Sequence, residues 1–320
     1  MSYAPPGNST QTGSLAHISG VTYWDRVGLD RLEQMFRFGN LCDPHPLPLN
    51  SGKIYQTYRF TLPGANTTPS AETVGTPFTQ TSTTVSATIE QYSDFTSSSE
   101  LLMLTDISQT TTRMADDMSY RAAKTADTIF RTEFDSNSGQ VFNTQGTALS
   151  VADLRKNKHL LTGIDVRGRT DMGGDFGVAI HPYVSHDIIA DNTAGGFIDV
   201  AKYADPSRLI SGEIGKIAGC RLLETTNVNT SGSAPTVLYY TYLVGQGAVG
   251  NIDLTGKGPT KVVDARNERF RLNVVPGGPS PADPEGNIGQ YVSYWFATAA
   301  KTLDSTNYRY RIIQADSSIV

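Results

Sequence analysis

The residues of this chain whose types and spacing could do chemistry fall in small, separate groups. Gly245-Gln246-Gly247-Ala248-Val249-Gly250 has the G-x-G-x-x-G spacing by which a tight turn brings backbone N–H groups to a pyrophosphate. That chemistry needs a helix to begin at the turn, so that its N-terminus faces the anion. The NIDLTGKGP that follows is too short and too glycine-broken for a helix, so the spacing reads as accidental. His181, His186 and Asp187 are metal-ligating types, but a separation of five puts the two imidazoles on different faces of a helix. No second ligand pair occurs, and helix capping and surface polarity explain these residues. His159, beside Lys158, reads as part of a solvated helix face. Cys42 and Cys220 are the two cysteines, far apart and without CxxC spacing, which predicts reduced thiols in a cytosolic setting. Arg167 with Arg169, and Arg266, Arg269 and Arg271, form small basic clusters that fit either intersubunit salt bridges or solvated loops. No G-x-S-x-G, H-E-x-x-H or P-loop is present. The expectation is a protein that is not an enzyme, with no catalytic residue, metal or cofactor.

The elements around these groups are better defined than the groups themselves. In Glu100–Phe134, apolar residues recur at Met114, Met118, Ala122, Ala126 and Phe130, with Ile129 beside the stripe, and neither Pro nor Gly interrupts the run. This predicts a long helix from Gln109 to Phe134, about 40 Å at 1.5 Å per residue, which suits a spine. Thr110–Thr112 lowers helix propensity, so a kink or restart is expected near Asp106–Thr112. Before the spine, residues 1–20 read as a polar arm and Val27–Phe38 as a short helix. Leu41–Asn50, with three prolines, must run extended. Residues 51–96 alternate as two long strands around a Pro- and Gly-containing tip. One strand places Ile54, Tyr58, Phe60 and Leu62 on one face, and the other does the same with Val85, Ala87 and Ile89. After the spine come a helix capped by Ser150, a buried strand at 176–180 and a helix opened by Pro182. Further strands lie in GKIAGCRLLETT and TVLYYTYLV, a loop at 276–287, and a closing hairpin of NIGQYVSYWFATAA with NYRYRIIQA.

Bulk composition limits the function classes. Hydrophobic content of 38% supports a core, while only 18% of residues are charged, and 30 glycines and 16 prolines favour strands, turns and extended arms. A net charge of −5 argues against gripping nucleic acid through a general basic surface. The first residues lack the basic and apolar regions of a signal peptide, and no run of about 18 apolar residues is present, so a soluble protein made in the cytoplasm is expected.

Several stretches together carry a resemblance: EQYSDFTSSSELLMLTDI (90–107), VAIHPYVSHDIIAD (178–191), FIDVAKYAD (197–205) and, most fully, GEIGKIAGCRLLETTN (212–227). With the segment Tyr294–Ile312 they resemble, in order over roughly 50–315, the major capsid proteins of N4-like tailed bacteriophages. That resemblance implies an α+β, Hong Kong 97-type capsid fold. Its parts map to an N-terminal arm (1–50), an extended loop (51–96), a peripheral domain with the spine helix (97–162) and an axial domain (163–288). Residues 289–320 are expected to return to the peripheral domain. It implies a virion protein, assembled in the host cytoplasm into hexamers and pentamers of an icosahedral head. Its partners would be further copies of itself, scaffolding, portal and cement or decoration proteins, and packaged double-stranded DNA without sequence-specific contact; no membrane is involved. A tail or adhesin-type structural protein is the alternative, and the long central helix and lack of β-repeats count against it. A two-stranded ribbon is marginal alone, so Ile54, Tyr58, Phe60, Val85 and Ile89 are expected to contact a neighbouring subunit.

Overall fold

A computed structural model of the chain describes residues 37–48, 51–60, 78–105, 110–136, 141–190, 213–233, 236–254, 270–277, 287–304 and 309–317. The expected arm, most of the Val27–Phe38 helix, the ribbon tip with Leu62, the FIDVAKYAD stretch, and Arg266 and Arg269 lie outside these residues. In chain order, a 3-10 turn at Phe38–Leu41 leads to β1 (Asp43–Leu47), β2 (Ile54–Phe60), β3 (Ser82–Thr88) and β4 (Glu90–Ser99). Helices α1 (Glu100–Thr105) and α2 (Thr110–Asp135) follow, then β5 (Val141–Ala148), α3 (Val151–Thr162), β6 (Phe176–Ile180) and α4 (Pro182–Ala190). Strands β7 (Glu213–Ile217), β8 (Cys220–Glu224), β9 (Thr230–Ser233) and β10 (Thr236–Val244) come next. The chain closes with β11 (Val249–Leu254), β12 (Phe270–Pro276), β13 (Ile288–Thr302) and β14 (Tyr310–Asp316).

The 26 residues of α2 form the spine that the sequence predicts, and the expected restart falls between α1 and α2. Its buried face is wider than a single stripe. Ala115, Met118, Ser119, Ala122, Ala123, Ala126, Asp127, Phe130 and Phe134 are buried, whereas Met114 and Ile129 are only partly covered. The reason is geometric: residues spaced by four advance about 40° round a helix at each step, so a strict four-spaced line spirals off the contact face. Steps of three and four together keep a face against a sheet. The small side chains Ala115, Ser119, Ala122, Ala123 and Ala126 let the helix approach the sheet closely, and the Ser119 hydroxyl donates back to the Ala115 carbonyl at 2.7 Å.

That sheet runs β1–β11–β13–β12, with β4 paired to β13 as well. The 15-residue β13 is its long member: residues 298–302 pair with β11, 290–296 with β12 and 288–298 with β4. Strand β1 is parallel to β11 and keeps Pro44 and Pro46 because it is an edge strand, where a missing N–H goes unneeded. A second sheet runs β5–β14–β10–β6–β8–β7, with β9 on β10. Every residue of β6 is buried, as expected for FGVAI. Ser150 caps α3 in a reciprocal capping box with Asp153. Pro182 opens α4, whose Tyr183 N–H donates to the His181 ring at 3.2 Å.

Three expectations about pairing change. The ribbon pairing ends at Ile54 opposite Thr88, and 90–99 leave it to join β13. The closing strands do not form a hairpin: β13 stays in the first sheet, while β14 lies between β5 and β10 in the second. β11 and β12, expected with the axial strands, also belong to the first sheet. Both closing strands are apolar enough to be central, and neither keeps an edge for the other: β13 is filled by β4, β11 and β12, and β14 by β5 and β10. The sheets meet at the C-terminal end of α2. There the Phe134 ring lies 5.0 Å from Tyr310 and 6.0 Å from Tyr242, and Phe38 lies 5.0 Å from Tyr242. Tyr310 donates to the Phe134 carbonyl at 3.0 Å, satisfying one helix-end carbonyl that would otherwise be orphaned, and Tyr242 donates to the Asp135 carboxylate at 2.6 Å.

Candidate functional site

Among the described residues the candidate site is a surface. The ribbon β2–β3 has two unlike faces, and register decides which residues share one. Residues directly opposite in an antiparallel pair point to the same side. Ile54, Tyr58 and Phe60 stand opposite Thr88, Thr84 and Ser82, whereas Val85 and Ala87 stand opposite Thr57 and Tyr55. The two expected apolar sets therefore lie on opposite faces. Val85, Ala87 and Ile89 are buried within the chain itself, Ala87 and Ile89 against the first sheet. Ala87 and Ile89 share a cluster with Leu47, Ile252, Ala297 and Ala299, flanked by Tyr55, Leu254 and Trp295. Val85 and Ile89 are thus core residues that root the ribbon, a correction to the expectation that they face a neighbour. Ile54, Tyr58 and Phe60 keep 56%, 60% and 57% of their surface exposed.

Polar contacts fix the same root. Arg59 pairs with the buried carboxylate of Asp304, which also lies 3.5 Å from Arg309 Nε. Tyr55 and His45 join at 3.2 Å. A second exposed apolar set lies on α1, where Leu101 and Leu104 are 71% and 77% exposed and no residue is buried. A helix apolar on every side is expected only where something covers it. Beside the spine, Tyr92, Met118, Tyr120 and Ile129 line a cleft of about 830 Å³, rimmed by Asp117, Arg121 and Lys124.

The chemistry-bearing groups of the sequence become structural. Strand β11 follows the Gly245–Gly250 turn, so no helix N-terminus is presented there. Instead the Gly247 N–H donates to Asp43 at 2.6 Å, from a backbone at φ 70° that favours glycine. Among the described residues no group of three or more His, Cys, Asp or Glu could hold a metal ion. His181 stacks on Tyr239 at 4.5 Å, and burial lowers its pKa. His186 is exposed, 3.5 Å from Asp187, and His159 is exposed on α3. Cys42 and Cys220 are free and buried; burial raises both thiols, that of Cys220 to about 11.

Two charged residues, Asp127 and Arg169, are buried hubs. Asp127, on the spine, accepts the N–H groups of Arg37 and Phe38 at 2.9 and 2.6 Å and the Asn227 amide at 3.0 Å. Burial is the largest influence on its carboxyl and raises the pKa to about 6, against the hydrogen bonds and Arg131. Arg169 is neither solvated nor placed for a neighbour: its guanidinium donates to the carbonyls of Leu41 and Cys42 and to Asp171 at 2.8 Å, with Asp43 at 3.5 Å. Arg167 stays exposed. A charged residue at helical spacing beside alanines was the available signal for Asp127. For Arg169 no local signal exists.

No protein-family model matches the chain, and no curated protein does. Its similarity is to solved structures. The capsid of Ralstonia phage GP4 matches with a TM-score of 0.63 at 11% identity, covering 87% of each chain. The acidic stable capsid of Helicobacter pylori bacteriophage KHP30 matches at 0.59 and 11% identity, over 85% of this chain and 87% of that one. The cyanophage Pam1 capsid asymmetric unit matches at 0.58 and 13% identity, over 84% and 86%. The chain has an α+β fold of the Hong Kong 97 type, the fold of these phage capsid chains.

Proposed function

We propose that this chain is the major capsid protein of a tailed bacteriophage, a structural protein that self-assembles into the hexamers and pentamers of an icosahedral head around double-stranded DNA. The observation that carries this reading is the agreement with phage capsid chains along nearly the whole length of both partners. In this reading α2 and the first sheet are the peripheral domain, the second sheet is the axial domain, and the ribbon is the extended loop. The sequence blocks at 178–191 and 212–227 support placing it among N4-like phages. Neighbouring copies cover Ile54, Tyr58 and Phe60 and the apolar surface of α1. Scaffolding, portal and decoration proteins are the further partners, and assembly takes place in the host cytoplasm. Each contact is modest, and closure of the shell supplies the avidity.

Electron microscopy of the expressed protein, alone and with a scaffolding partner, tests this. Uniform closed shells are expected; trimeric rods would favour a tail or adhesin protein, and a strictly monomeric chain at high concentration would remove the proposal. Deleting residues 1–20 should leave the melting transition unchanged and reduce the yield of shells, because that polar segment carries little to bury in a core. Loss of soluble folded protein on that deletion would place the arm in the core instead.

A further inference from the structure

The cleft of about 830 Å³ beside α2 is apolar although three threonines line it. The hydroxyls of Thr125, Thr128 and Thr132 donate back to the helix carbonyls of Arg121, Lys124 and Thr128 at 2.8, 2.6 and 2.8 Å. That leaves methyl groups for the cleft, beside Met118 and Ile129. An apolar hollow of this kind marks a place where something docks. Asn227 ties the cleft to the point where the N-terminal segment joins the body. Its amide donates to Asp127 at 3.0 Å and to Thr128 at 3.2 Å, and Asp127 accepts the N–H groups of Arg37 and Phe38. Residues 1–36, which lie outside the described residues, thus reach the spine one residue from the lining of the cleft. The sequence just before that anchor fits the hollow. Leu29, Leu32 and Phe36 are spaced by three and four, which makes one apolar face of a helix. As a helix, residues 27–36 run about 15 Å, the same length as α2 from Asp127 back to Asp117, where the lining begins. Glu33 borders the apolar face and Lys124 rims the cleft, so the flanking charges are opposite in sign.

We propose that residues 27–36 dock as a short amphipathic helix in this cleft of their own chain, with Leu29, Leu32 and Phe36 on Met118, Ile129 and the threonine methyls. The chain's own segment is favoured over that of another copy because its end is already bonded beside the cleft. A tether of one or two residues holds the segment at a local concentration that a free partner does not reach. Burial of the three apolar side chains offsets the entropy of ordering the segment. A helix this short is marginal in water alone, so the cleft and the segment need each other. The docking does not depend on the chain forming shells.

Thr125→Cys in the full chain tests it, with iodoacetamide as the probe and the labelled peptide read by mass spectrometry. In dilute, unassembled chain the introduced thiol should react about tenfold more slowly than in the same variant carrying Leu32→Glu. Further dilution should leave that ratio unchanged. Cys42 and Cys220 are buried thiols whose pKa burial raises, so their slow labelling in both forms reports an intact core. Should Leu32→Glu open them as well, Glu33→Lys takes its place, with an expected rise of about threefold. Fast labelling without the second substitution would mean that the cleft is open. Equally slow labelling with it would mean that some other group covers Thr125. Either result overturns the proposal. Protection that fades on dilution overturns it too, by giving the cleft to the segment of a second copy.

Discussion

Tyr58→Asp should leave the melting transition of the subunit within about 0.5 kcal/mol of the parent and abolish closed shells. The ring is 60% exposed, stands opposite Thr84 and is flanked on its face by Gln56 and Phe60, with Ile54 beyond Gln56. Removing it therefore takes little from the isolated subunit. In an assembled shell the same face would be covered. Burial at about 25 cal/mol per Å² makes such a contact worth several kcal/mol before the entropy of association is subtracted. An aspartate there would have to be desolvated without a partner, which costs at least as much. Ile89→Asp should behave in the opposite way. That side chain is 5% exposed among Leu47, Ile252, Ala297 and Ala299, so the charge should weaken the fold itself by about 3 kcal/mol or more. Melting curves together with negative-stain counts of closed shells separate the two. Normal shells from Tyr58→Asp would show that the outward face of the ribbon carries no assembly contact.

Phe130→Ala should cost about 3–5 kcal/mol of subunit stability. The ring is fully buried on the face by which α2 lies on the first sheet. Its neighbours along that face, Ala122, Ala123 and Ala126, are too small to close over the space left behind. Truncating Met114, which is only partly covered, should cost less although it lies on the same four-spaced line. Equilibrium denaturation of the two variants measures the difference. Equal losses would mean that the contact face follows the four-spaced line and not the wider arc.

The sequence by itself determined the elements whose causes are local. An uninterrupted run without Pro or Gly made the spine, Ser150 and Asp153 made a cap, and Pro182 set the start of α4. Alternation made β2 and β3, and prolines held β1 extended at an edge. These effects act within a few residues, so a single sequence carries them. What only the tertiary structure decided were the choices made between distant segments. The register of β2 on β3 turned Val85 inward and Tyr58 outward, although each strand alone shows only that it has an apolar face. Competition for strand edges sent β13 and β14 to different sheets: β4, β11 and β12 fill the edges of β13, and β5 and β10 those of β14, so neither is left for the other. Arg169 read as an intersubunit or solvated charge, and nothing nearby in sequence marks the partners that bury it or Asp127. The turn they hold lies 89 residues from Asp127 and up to 128 residues from Arg169, so their partners follow from the packed fold.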